Sequence, residues 1–146
     1  MAGAAIGTIL GVFNFIQGVR QRRVRLRVRP KVVSVRQGHC FYNSNELVPN
    51  SVPCLEVVNL SAFPVTISEV GFTLSGDKGR ATLVPGLPRN LPCRLEPRQS
   101  VVIHASEKMA LPRNIKSAYA MTECDETRLG DSPVLKKLRN LNKVSG

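Results

Sequence analysis

The chain has no tryptophan and only 5 % aromatic residues. Its core therefore cannot be organised around large rings and must rest on Val, Leu and Ile. Cysteine is sparse: Cys40, Cys54, Cys93 and Cys124 stand far apart, without the density of a disulfide-stapled mini-protein. They read as mostly buried free thiols. No Cys-x-x-Cys pair occurs, which argues against a structural zinc site. There are two histidines, His39 and His104. Val101 and Ile103 occupy the strand face opposite to His104 and Val102. Gly3-x-x-x-Gly7 precedes no Lys-Ser or Lys-Thr, so no phosphate-cradling loop is present. These absences leave no catalytic constellation. No enzyme activity, cofactor or metal is expected.

With 146 residues and 42 % hydrophobic content, there is room for one domain with a normal core and a short appendage. A Val-rich chain punctuated by Gly and Pro favours strands. The net charge of +11 is distributed very unevenly. Residues 1–19 carry no Asp, Glu, Lys or Arg. The next segment, 20–36, holds eight bases and no acid: Arg20, Arg22, Arg23, Arg25, Arg27, Arg29, Lys31 and Arg36. The remaining 110 residues have 13 bases and ten acids, for a net of only +3. The imbalance sits in one block directly behind an uncharged one.

Ala2–Val19 rises about 27 Å as a helix, just short of a ~30 Å hydrocarbon layer. Gly3, Gly7 and Gly11 recur every fourth residue and share a face that lets two helices approach closely in lipid. Ile6, Ile9, Leu10, Phe13 and Ile16 form another stripe, while Asn14 and Gln17 lower the hydropathy. A cleaved signal peptide fits poorly, because no base precedes the run and arginines follow it. A core helix and a membrane anchor both fit. The abrupt change at Val19/Arg20 favours the anchor, with the following domain on the cytoplasmic side by the positive-inside rule. The glycine spacing also raises a homo-oligomer through the helix.

In Val24-Arg-Leu-Arg-Val-Arg29 the apolar residues face one way and the arginines the other. Pro30 cannot donate to a ladder, which predicts an edge strand or a break there. The arginines protect a strand edge or meet an anionic surface. Phosphates of nucleic acid would attract them too. However, the block has no Phe, Tyr or Trp to stack bases and no recognised nucleic-acid motif. Membrane contact is favoured over nucleic acid.

Further strands are predicted at 54–60, 64–74, 80–84, 99–105 and 115–122, with a weaker one at 126–129, after a first over 24–36. Gly76–Gly79 is a hairpin turn between 72–74 and 81–84. A terminal helix starts at Pro133, capped by Asp131 or Ser132, with Val134, Leu135, Leu138 and Leu141 on one face. It packs on the sheet or docks a partner. Glu123-Cys-Asp-Glu126 reads as a solvated turn, and Asn59-Leu-Ser61 matches a glycosylation acceptor.

The run Leu55–Ile67 followed by Ser-Glu-Val-Gly-Phe72, then Leu95–Ile103 and Ser117–Met121, resembles strands of immunoglobulin-like modules. It is also similar to small uncharacterised bacterial proteins that place such a domain behind a membrane segment. The chain lacks the buried Trp of antibody-type domains, and Cys54 and Cys93 do not match the inter-sheet cysteine positions. The resemblance implies a mainly β, antiparallel immunoglobulin-like sandwich, and no activity. The expected organisation is an apolar helix over 1–19, an arginine-rich segment and first strand over 20–36, and a sandwich with a C-terminal helix over 37–146. The expected role is a membrane-associated, non-enzymatic interaction protein serving a protein partner. A soluble assembly subunit is the main rival.

Overall fold

A computed structural model describes residues 2–76, 79–83, 91–106, 112 and 114–144. Helix α1 (Ala2–Gln21) is followed by β1 (Leu26–Arg36), β2 (His39–Asn43), β3 (Val52–Asn59) and β4 (Val65–Leu74). Then come β5 (Arg80–Thr82), β6 (Cys93–Leu95), β7 (Ser100–His104), β8 (Ile115–Thr122), β9 (Thr127–Gly130) and helix α2 (Pro133–Val144). The fold is mainly β, built as two antiparallel sheets. One has the order β2-β1-β3-β7 and the other β5-β4-β8-β9, with β6 also paired to β4.

Alternation along the strands creates the core. Val28, Leu55, Val57, Val101 and Ile103 of the first sheet join Val65, Ile67, Val70, Phe72, Ala118 and Ala120 of the second in one buried cluster. One ring, Phe72, lies in this cluster beside aliphatic side chains and small residues, as the scarcity of aromatics requires. The largest buried ring overall is Tyr119. Its hydroxyl donates to Glu69 Oε1, with Arg80 stacked 5.1 Å from the ring centroid.

Local chemistry explains the turns. Gln37 (φ 50°) and Gly38 (φ 78°) form a two-residue hairpin loop with both φ angles positive, the twist that suits antiparallel strands. Asn59 ends β3, fully buried. Its Nδ2 donates to Phe63 O at 2.9 Å and Leu95 O at 3.0 Å, and its Oδ1 accepts from Ser61 N at 2.9 Å. One side chain thus ties the β3–β4 crossing to β6. The glycosylation match at Asn59 is thereby overturned, since its amide is enclosed and bonded on both ends.

The first strand corrects one expectation. It does not break at Pro30 but pairs through it with Leu55 of β3. Strand β2 pairs with β1 only from Val32 onward, so Pro30 falls where β1 has a single ladder partner. Helix α2 starts as predicted. Ser132 Oγ accepts from Leu135 N at 3.4 Å, and Asp131 pairs with Arg139 at 3.1 Å. Val134 and Leu135 are buried and Leu138 packs on the core. Leu141 departs from this face, being 52 % exposed.

Candidate functional site

The two chemically distinctive segments are adjacent in the chain. In α1, Ile9, Leu10, Val12, Phe13, Phe15 and Ile16 are all exposed, from 44 % at Ile16 to 73 % at Phe15. A domain that used this helix as core would cover one stripe of it. Here apolar residues are exposed on every side from residue 7 to 17. The rival core-helix reading is therefore not what the described residues adopt.

The transmembrane span expected from the sequence needs correction. Among the described residues, no helix is long and apolar enough to cross a membrane. The length is present, since 20 residues rise about 30 Å. The hydropathy is not, because glycines at 3, 7, 11 and 18 and the polar Thr8, Asn14 and Gln17 dilute the run. A Cβ at Gly7 or Gly11 would meet nothing within 4 Å, so no packing among the described residues demands glycine there. The surroundings of Gly3 lie outside the described part.

Only residues 22–25 separate α1 from β1. Arg22, Arg23, Arg25, Arg27 and Arg29 are all exposed; the side chain of Arg20 lies outside the described part. Strand alternation sorts the last three, as the sequence predicts. Val24 and Leu26 pack against the core and Val28 is buried within it, so Arg25, Arg27 and Arg29 project outward from the first sheet. None of the five arginines makes an ion pair among the described residues. Lys31, next along the same face, is paired with Glu56 at 2.9 Å. That pair is largely withdrawn from solvent, with each side chain about one-fifth exposed (18 % and 20 %), so it is less screened than a surface pair.

The same face carries a cluster that the sequence did not reveal. Lys31, Cys54 and His104 are register partners across β1, β3 and β7. Tyr42 reaches over to His104, with 3.0 Å between its hydroxyl and Nε2 and ring centroids 5.8 Å apart. Cys54 is buried at 1 % exposure. Burial pushes its thiol up to about 12; Lys31 lowers it and Glu56 raises it by smaller amounts. A thiol held protonated is no nucleophile at neutral pH. The neighbourhood of Cys54 and His104 emerges only from strand register, which links residues 50 positions apart.

The other cysteines depart from the expectation of burial. All four are free thiols, but Cys40 and Cys124 are exposed and Cys93 is half-buried. His39 is exposed on β2. The acidic run forms the β8–β9 turn, where Asp125 adopts φ 61° and Glu126 pairs with Arg128 at 2.7 Å. No group of three or more metal-ligating side chains occurs among the described residues. Compared with known families, curated proteins and solved structures, the chain matches none of them.

Proposed function

We propose that this chain is a non-enzymatic interaction protein, held at a membrane by α1 and presenting an immunoglobulin-like sandwich to a protein partner. The observation that carries the location is the exposure of six large apolar side chains on a helix without charge through Val19. Burying each in an apolar phase contributes about 1.5–3 kcal/mol, so the helix supplies on the order of 10 kcal/mol before the costs of immobilisation. Each basic residue near an anionic leaflet adds about 1 kcal/mol. The apolar term therefore sets whether the chain binds, and the arginines strengthen its contact with an anionic leaflet.

Strand order supports the immunoglobulin-like assignment. The sequence β1-β3-β7 follows the A-B-E order of that sandwich, and β5-β4-β8-β9 follows C′-C-F-G. Strand β2, added outside β1, is a departure from it. A fold of this kind hosts many functions, and the recognition role rests on its pairing with an exposed apolar helix.

Flotation of the full chain with neutral phosphatidylcholine vesicles tests the location. The expected result is co-flotation that survives alkaline carbonate and is lost in the triple variant Ile9→Ser, Phe13→Ser, Ile16→Ser. Protein left at the bottom of the gradient would overturn the reading. Concentration-dependent oligomers that ignore vesicles would favour the assembly-subunit alternative instead.

A further inference from the structure

We infer that the first sheet lies flat on an anionic leaflet, with Arg25, Arg27 and Arg29 forming a row that contacts lipid headgroups together. This rests on the membrane reading above and adds an orientation to it. Three observations lead there. The first is geometric: the three arginines alternate with core residues, so they project from one face of β1 at intervals of about 6.6 Å. Headgroups a few ångströms apart in a leaflet can engage each guanidinium separately.

The second is the charge pattern of that face. The strands of the first sheet contain a single acid, Glu56, which is the register partner of Arg29. Glu56 is nonetheless engaged by Lys31 at 2.9 Å. The ion pair removes the one carboxylate that would neutralise the row. Arg25, Arg27 and Arg29 are left exposed and without an acidic partner among the described residues. A surface left with positive charge alone is complementary to an anionic one.

The third is continuity. With four residues, 22–25, between the helix and β1, the start of the row stays within about 14 Å of the end of α1. Two orientations of β1 are then open. If it stood upright, Arg29 would lie about 13 Å further from the leaflet than Arg25. That exceeds the Debye length of ~8 Å at physiological salt, so its contribution would be screened. If it lies along the surface, all three contribute alike. Charge complementarity favours the second, since only a strand lying along the surface brings all three exposed guanidinium groups to the leaflet at once.

The test uses the full chain and two sets of vesicles, phosphatidylcholine alone and phosphatidylcholine with about 30 % phosphatidylserine, which supplies the anionic surface. Binding to the neutral vesicles reads the insertion of α1, and its loss would refute the location without bearing on the row. The ratio of anionic to neutral affinity reads the row. Arg25→Gln, Arg27→Gln and Arg29→Gln are each expected to lower that ratio by about fivefold. Glu56→Gln is expected to raise it by a similar factor, by freeing Lys31. A graded series in which Arg25→Gln matters and Arg29→Gln does not would overturn the flat orientation. So would an unchanged ratio in Glu56→Gln. Variants that keep the vesicle ratio but lose binding to a single-stranded oligonucleotide would assign the row to nucleic acid and refute the proposal.

Discussion

At the scale of single residues, the most informative group is Cys54. Its thiol titrates near 12 in the folded chain, against an ordinary value of 9.0. Because the folded value is raised, the associated stability is fully present below pH 9 and is lost as pH climbs from 9 towards 12. At pH 10 the unfolded chain is favoured by about 1.4 kcal/mol through this group alone. Burial also raises Tyr119 and Tyr42, so both contribute to any alkaline decline. The difference between wild type and Cys54→Ala isolates the thiol. Urea unfolding at pH 8 and pH 10 is expected to show that difference shrinking by about 1.4 kcal/mol. A constant difference would show that the thiol does not titrate as described. The sequence reading of buried free thiols holds for Cys54, but no neighbour along the chain distinguished it from Cys40 and Cys124, which are exposed. Asn59 was half legible: its place at a strand end was readable, but its bonds to Phe63 and Leu95 depend on a crossing between sheets.

At the scale of elements, the strands that sequence located are those with clear alternation or buried runs. The 115–122 prediction coincides with β8, and 24–36, 54–60, 64–74 and 99–105 differ from the observed strands by one or two residues at their ends. Two strands were missed. All but the last residue of β2 are exposed, so no period of two marks it, and β6 has three residues between two prolines. The closure of the sheets was also hidden. A Cβ on Gly130 of β9 would lie 1.8 Å from Val28 O and 2.6 Å from Val28 C, both backbone. A Cβ on Gly71 would lie 2.2 Å from Ala81 O, but that atom belongs to three-residue β5 at a sheet edge. Gly130→Ala must push apart β9 and a strand central to the core, whereas Gly71→Ala can displace a short edge. Thermal and urea unfolding are expected to show Gly130→Ala costing about 3 kcal/mol or more and Gly71→Ala about 1 kcal/mol. Equal costs would mean that β9 yields as readily as β5.

At the scale of the whole molecule, the charge boundary was the feature most legible in sequence, and in the structure it separates an exposed apolar helix from the strands that build the core. No described side chain of α1 belongs to the buried core, which is formed by strands, by Leu83 and Ala105 just beyond strand ends, and by Val134 and Leu135 of α2. The strands and the row of arginines begin only after the helix has ended. Sequence could place the charges but could not tell whether the apolar run was covered by the sheets, because coverage is decided by tertiary packing alone. If the helix contributes location and no core, its removal should leave the stability of the β domain almost untouched. A chain starting at Arg22 is expected to unfold in urea within about 0.5 kcal/mol of the full chain, the range of substitutions that touch no packed feature. Its slope against denaturant should fall slightly, because less surface is exposed on unfolding once a 20-residue segment is absent. The same truncation should abolish flotation with neutral vesicles while leaving a weak, salt-sensitive attraction to anionic ones through Arg25, Arg27 and Arg29. A loss of several kcal/mol would instead place α1 against the sheets in solution, and the exposed helix could then no longer serve as the element that finds the membrane.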